Sequence, residues 1–386
     1  MENELGVYWA DLWVANGAND ADNKVYEELW RASDERAPSV RIAERIRSRG
    51  FWMVPPSEPA WQVKEDHPPV IAFYSFKGGV GRTTALASFA IQRARTGETV
   101  VIVDLDLDAP GVGTLLHPGA DTTPHLGVVD YLIESPLHPE MTLSDYYHLC
   151  LEYPTSPLGG SIAGAGQIFV FPAGTLDSEY LSILSRLDLE PRPDEPKHPL
   201  LRLLSDARTE LRPDWILIDC RAGLSESSGF ALSGLANLTV LLGTTSTQSW
   251  TGLRLVVERL GAERVSRGLP QVECLLVQTM TPENPQTADM AESDFRADAE
   301  DVFKEAYYAE DPDDEDDDKF WYVRDMESED SLEWTPILRQ PVKTQFSLNG
   351  KGVYELFSKA VHKRVQGSRR EAAGTGGVAS RGGTGL

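Results

Sequence analysis

The chain is 386 residues long and carries a formal net charge of -24 at pH 7, from 36 Lys and Arg against 60 Asp and Glu. That balance disfavours non-specific attraction of the whole molecule to DNA or anionic lipid, and the length suffices for one large α/β domain with an appendage. Cys150, Cys220 and Cys274 lie far apart with no C-x-x-C pair, which argues against a disulfide framework and against a zinc or iron–sulfur centre. The opening Met1-Glu2-Asn3-Glu4 lacks a basic region followed by an apolar core, and no apolar run approaches membrane-spanning length, so a reducing cytoplasm is the expected setting.

Residues 1–66 precede the first buried strand and read as an extension. Tyr8, Leu12, Trp13, Tyr26, Leu29 and Trp30 are apolar at roughly helical spacing, and Ser39 to Arg49 reads as a basic helix. A helical cap on the main domain and a partner-binding module both fit this pattern. The pairs Pro55-Pro56 and Pro68-Pro69 bracket a linker, after which the main domain runs over 67–365.

Val70 to Phe76 is an apolar run of strand length, and Ala85 to Ile91 continues the apolar pattern with good helix formers. Between them stand Lys77-Gly78-Gly79-Val80-Gly81-Arg82-Thr83-Thr84. Three glycines allow a tight turn and a close approach of backbone N–H groups to an anion, and the following helix adds its own donors and positive dipole end. The segment reads as a phosphate cradle in which the Thr83 hydroxyl is placed to bind Mg²⁺. It departs twice from the ordinary G-x-x-x-x-G-K-[ST] pattern, with Phe76 at the first glycine position and Arg82 at the lysine.

Thr99 to Leu105 is a second buried strand, ending in Asp104-Leu105-Asp106-Leu107-Asp108. Alternation puts Asp104 and Asp106 on one face, and two carboxylates so close need a cation or donors. A short helix over Gly127 to Glu134, a Gly/Ser-rich loop over 155–166 and a strand at Gln167 to Phe171 follow, then helices from Asp177 to Leu187 and from Leu200 to Leu211. Trp215 to Asp219 is a hydrophobic strand closed by an acid, with Cys220-Arg221-Ala222-Gly223 as its turn. Leu238 to Gly243, a helix from Trp250 to about Val265, and Val272 to Gln278 complete the pattern. Alternating strands and helices over this length predict a doubly wound, mostly parallel sheet flanked by helices.

The dense acidic run 310–318, within a loop over 308–319, reads as a solvated surface segment, and 320–323 and 335–338 as short strands or ordered loops. Val353, Leu356, Phe357, Ala360, Val361 and Val365 mark one face of a last helix, better explained by packing on the sheet than by membrane binding. Residues 366–386 are rich in Gly, Ser and Ala and read as a disordered tail.

Three segments, 76–84, 104–111 and 215–223, together resemble the ParA/MinD ATPases, a P-loop class whose deviant Walker A motif is usually K-G-G-x-G-K-T-T and here takes the K-G-G-V-G-R form. The resemblance covers roughly residues 70–365. It implies a P-loop ATPase with ATP and Mg²⁺ as cofactors, the nucleotide held by Gly78, Gly79, Val80, Gly81, Arg82, Thr83 and Thr84. It further implies Thr83, Asp104 and Asp219 at the metal, Asp106 orienting the attacking water, and Lys77 reaching the phosphates of a second subunit in an ATP-dependent homodimer. Gln278 and Asn284 fall where such proteins hold the base. The implied function is a switch that dimerises with ATP to control a partner protein or cargo, with residues 1–66 as the candidate surface for the partner. Because arginine is a planar fork and lysine a point charge, Arg82 puts the hydrolysis rate in question, and a nucleotide-bound scaffold or regulator with little turnover, in a signalling or defence system for instance, stays open as the alternative. DNA or membrane association is not supported by the net charge.

Overall fold

The computed structural model describes residues 34–37, 40–42, 51, 52, 61, 67–116, 126–150 except 136 and 139, 166–189 except 188, 198–308 except 281 and 283, and 357–365. The chain forms two units, Met1–Arg49 and Gly50–Leu386. In the first, β1 (Asp34–Ala37) pairs antiparallel with β2 (Val40–Ile42), Asp34 lying opposite Ile42. The expectation of a helix over Ser39 to Arg49 is therefore corrected at Val40–Ile42, where β-branched Val40 and Ile42 favour an extended segment, while 43–49 lie outside the described residues. The aromatic helical pattern at 8–30, the acidic run 310–318, the segments 320–323 and 335–338, and the tail 366–386 lie outside the described residues.

The second unit is built on seven strands: β3 (Val70–Tyr74), β4 (Thr99–Leu105), β5 (His148–Leu149), β6 (Gln167–Phe171), β7 (Trp215–Cys220), β8 (Leu238–Gly243) and β9 (Glu273–Gln278). Their spatial order is β5-β6-β4-β7-β3-β8-β9, and only the short edge strand β5 runs antiparallel to its neighbour. Parallel neighbours need crossovers, here supplied by α1 (Arg82–Arg95), α2 (Val112–Leu115), α3 (Val128–Glu134), α4 (Ser178–Leu184), α5 (Pro199–Leu211), α6 (Glu226–Phe230), α7 (Thr247–Leu260) and α8 (Ala262–Ser266). Among the described residues two helices follow β9, α9 (Pro285–Ala306) and α10 (357–365).

Strand alternation divides the core in two. Val70, Ala72, Tyr74, Val101, Val103, Ile216 and Ile218 face α3, α5, α7 and α9. Their alternates Ile71, Phe73, Val100, Ile102, Trp215 and Leu217 face α1 and α10. Strands buried on both faces read as continuous apolar runs, which is why they were legible. The last helix packs as expected: Phe357 and Val361 are fully buried, and the Phe357 ring meets Phe73 and Phe89 edge-on. No helix among the described residues is long and apolar enough to cross a membrane.

Three elements differ from expectation. The edge strand β5 is two residues long, too short to carry a pattern. The helix predicted from Trp250 to Val265 is interrupted at Gly261, where a Cβ would lie 2.3 Å from the Tyr307 carbonyl oxygen. The helix α9 was not foreseen, although Asn284 caps it, Pro285 follows at the first turn, and Phe295, Ala299, Val302, Phe303 and Ala306 form its buried stripe.

Phe51 and Trp52, near the start of the second unit, pack against its body. The Phe51 carbonyl accepts from Arg259 at 2.9 Å, and Trp52 Nε1 donates to the Ser225 carbonyl at 2.8 Å. The Phe51 ring packs against Phe230 and His198, and His198 stacks on Phe230 with ring centroids 3.6 Å apart. His198 also caps α5, its Nδ1 accepting from the Leu200 N–H at 3.1 Å. Burial lowers the His198 pKa from 6.5 to about 4. The ring is therefore neutral in the folded protein at pH values where the unfolded chain already holds the proton, and stability falls as pH drops from 6.5 towards 4. Denaturant titrations across that window are expected to show up to about 3 kcal/mol more loss in the wild type than in His198→Asn, which keeps a capping acceptor but does not titrate.

Candidate functional site

The site forms where the carboxyl ends of β3, β4 and β7 meet the N-terminus of α1. Asp104 on β4 and Asp219 on β7 are register partners across adjacent parallel strands, and Phe73 of β3 is the partner of Asp219 on its other side. Both acids fall on the α1 side of the sheet by alternation, and Asp106, two residues beyond Asp104, follows them. Asp104 and Asp219 are fully buried and Asp106 nearly so.

Between β3 and α1 the chain passes through Ser75 to Gly81. The Ser75 hydroxyl donates to the Lys77 carbonyl at 2.8 Å, tightening the turn. Gly79 (φ 73°) and Gly81 (φ 90°) adopt left-handed backbone that only glycine enters freely. Gly81 is the N-cap of α1 and no side chain caps that helix, so its first N–H groups and those of exposed Gly78 and Gly79 are left for an anion. Val80 is buried, Thr84 half-buried, and among the described residues the half-buried Lys77 ammonium has no ion-pair partner. The Phe76 ring lies over Gly252 of α7, so closely that a Cβ there would fall 2.2 Å from ring carbons.

Arg82 opens α1 and turns into the acids. Its Nε donates to Asp219 Oδ1 and its terminal nitrogen to Asp106 Oδ2, each at 2.7 Å. Thr83 Oγ1 donates to Asp219 Oδ2 at 2.6 Å. The two oxygens of Asp104 accept from the backbone N–H groups of Asp106 and Gly111 at 3.1 and 3.2 Å. Burial, and then the neighbouring Asp219, push the Asp104 carboxyl well above the usual range. Burial raises Asp219 too, opposed by Arg82 and the Thr83 hydrogen bond. Burial alone would lower Arg82, but Asp219 and Asp106 outweigh it and hold the guanidinium charged.

The turn after β7 closes the site. The Gly223 carbonyl accepts from the Tyr74 hydroxyl at 3.1 Å, and Arg221 forms an ion pair with Asp108, tying this turn to the loop after β4. Neither contact was foreseen; the Arg221–Asp108 pair joins loops more than a hundred residues apart in the chain. Gln278 and Asn284 stand away from the acids, at the end of edge strand β9. Gln278 Nε2 donates to the Ala291 carbonyl at 3.0 Å, while its buried Oε1 lacks a partner among the described residues. The Asn284 side chain is engaged as the cap of α9.

The residues fit Mg²⁺ in a specific sense. Among the described residues no three His, Cys, Asp or Glu side chains are gathered as a ready-made metal cage. Mg²⁺ keeps several waters and binds through one or two carboxylates with substrate phosphate, and the buried Asp106 Oδ1, which has no partner among the described residues, is an acceptor such a hydrated ion would satisfy.

Residues 71–291 match the CobQ/CobB/MinD/ParA nucleotide binding domain. Over 182 residues the chain is 27% identical to the chloroplastic septum site-determining protein minD homolog of Arabidopsis thaliana, covering 46% of this chain and 45%, less than half, of that relative. Similar solved structures include a ParA family ATPase from Chlorobium tepidum TLS (17% identity, 61% of this chain and 81% of that one, TM-score 0.42). MinD from Pyrococcus horikoshii OT3, complexed with Mg-ADP, is 20% identical over 58% of this chain and 77% of its own, with a TM-score of 0.38. The cell division ATPase MinD of Pyrococcus furiosus is 18% identical over 77% and 99%, with a TM-score of 0.41.

Proposed function

Because the chain belongs to the CobQ/CobB/MinD/ParA nucleotide binding domain family, we propose that it is an ATP- and Mg²⁺-dependent molecular switch that hydrolyses ATP and dimerises with it to control a partner protein or cargo. The observation that carries this reading is the junction of an uncapped, glycine-rich helix N-terminus with three buried carboxylates at the ends of adjacent strands. An anion-binding turn beside a cation-binding cluster suits a metal–phosphate ligand better than either half alone.

In this reading the backbone N–H groups from Gly78 to Thr84 hold the phosphates. Thr83, Asp104 and Asp219 hold Mg²⁺ through its water shell, and the backbone hydrogen bonds to Asp104 keep the loop from Asp106 to Gly111 in place. Mg²⁺, when bound, neutralises charge on the phosphates. The free oxygen of Asp106 orients the attacking water, and Lys77 extends to the phosphates of a second subunit. Gln278 and Asn284 edge the base pocket, and residues 1–66 supply a surface for the partner. Light scattering of the full chain with and without ATP and Mg²⁺ is expected to show a dimer only with nucleotide, lost in Lys77→Ala. A monomer indifferent to nucleotide overturns the switch.

One observation favours a second reading, a nucleotide-bound scaffold with little turnover. The cation in the P-loop lysine position is engaged by Asp106, the residue assigned to the water, and by Asp219. ATP binding without single-turnover hydrolysis, unchanged in Asp106→Ala, selects the scaffold.

A further inference from the structure

The carboxylate cluster is saturated by its own chain. Of the six side-chain oxygens of Asp104, Asp106 and Asp219, backbone N–H groups take two, Arg82 takes two and the Thr83 hydroxyl takes one; Asp106 Oδ1 alone is without a partner among the described residues. The guanidinium occupies the space between Asp106 and Asp219, with a side-chain exposure of 8%. From these contacts we infer that Arg82 is a built-in counter-cation of this cluster, so that a divalent metal enters only in exchange for the guanidinium and metal binding is thereby coupled to nucleotide binding. The coupling to nucleotide rests on the phosphate-binding reading above; the exclusion of metal does not.

Charge and geometry both lead there. A divalent ion arriving alone meets two carboxylates already sharing a cation and must compete with a buried, charge-assisted fork. Displacing that fork leaves a guanidinium that cannot shed its proton and loses two charge-assisted hydrogen bonds. A phosphate in the Gly78–Gly81 turn changes the balance. Arg82 is the first residue of α1, directly after Gly81, so rotation of its long side chain carries the guanidinium from the acids to an anion in the turn. The acids, relieved of one positive charge, then accept a doubly charged ion. Each ligand removes the obstacle to the other, which is the definition of positive coupling. Lysine at this position lacks the planar fork that spans two carboxylates at once, so the coupling belongs to arginine.

The test uses Mn²⁺ as the probe, its free concentration followed by electron paramagnetic resonance in titrations of the full-length, nucleotide-free chain. Wild type is expected to bind Mn²⁺ weakly, Arg82→Gln to bind about tenfold or more tighter, and Arg82→Gln with Asp106→Asn to lose that gain. Addition of ADP is expected to tighten Mn²⁺ binding strongly in wild type and little in Arg82→Gln. Equal Mn²⁺ affinity of wild type and Arg82→Gln without nucleotide overturns the inference. Circular dichroism checks the fold of each variant. Should Arg82→Gln not fold, Arg82→Lys is read in its place, with an intermediate gain supporting the exchange and no gain refuting it. An ADP effect absent from both proteins, with the nucleotide-free difference intact, refutes the nucleotide reading and spares the exclusion of metal by Arg82.

Discussion

Asp219→Ala is expected to cost about 3 kcal/mol of stability in urea denaturation, the lower end of the range for breaking a buried ion pair, because Asp106 remains to hold one arm of Arg82. The direction follows from what each group does when its partner is removed. A buried carboxylate left alone takes up a proton, and burial already pushes Asp104 and Asp219 that way. A guanidinium has no such escape, since its pKa stays above the accessible range. Deleting the acid strands a charge, whereas deleting the arginine strands groups that can neutralise themselves. Asp219→Ala is therefore expected to be the more damaging of the two, and Asp219→Asn, which keeps an acceptor for Arg82 Nε, to cost only about 1 kcal/mol. An alanine variant as stable as wild type contradicts this account of the cluster.

Legibility from the sequence followed burial. The six parallel strands are apolar on both faces and bounded by turn residues, so β4, β6 and β8 carry the predicted limits and the others differ by a residue or two. The acids were legible for a related reason: an ionisable residue ending an apolar run marks the edge of the sheet where open α/β folds bind ligands. What stayed hidden was set by contacts between distant segments. The two-residue strand β5 exists only through its pairing with β6. The pair Arg221–Asp108 and the docking of Trp52 on Ser225 join positions that no periodicity connects. Arg82 was visible as a substitution in a motif, but its direction, into Asp106 and Asp219 and away from the turn, depends on the register that sets Asp104 opposite Asp219.

The contacts of Trp52 have a bearing on that same site. Its indole nitrogen holds the carbonyl of Ser225, the N-cap of α6, and its ring lies against Gly229 within that helix. The turn leading into α6 carries Arg221 and Gly223, the latter bound to Tyr74 at the entrance of the glycine-rich turn. Beyond α6 the chain takes a π-helical turn over Ala231–Leu235, a wide and rare geometry that is frequent at functional sites. Trp52 thus contacts the helix that directly follows β7, the strand that carries Asp219.

The second large effect concerns the first departure from the ordinary motif. Phe76 replaces the glycine that begins a P-loop, and the structure supplies a compensation on α7: residue 252 is glycine, and the Phe76 ring fills the space a side chain there would use. Gly252→Ala would set a methyl group 2.2 Å from ring carbons nearest the backbone, atoms that cannot be displaced without moving the whole ring. Overpacking of this kind costs about 1–3 kcal/mol, more than the small gain in helix propensity from replacing glycine in a helix interior. Because Phe76 adjoins Lys77, the displaced ring drags the phosphate turn with it, so ATP affinity is expected to fall along with stability. The discriminating measurement is a double-mutant cycle with Phe76→Ala, scored by urea denaturation and by ATP titration. Removing the ring is expected to make Gly252→Ala harmless or stabilising, with a coupling of about 1 kcal/mol or more between the two sites. Additive effects instead mean that Phe76 and Gly252 do not share the space the structure assigns them, and that the phenylalanine is tolerated in the turn for another reason.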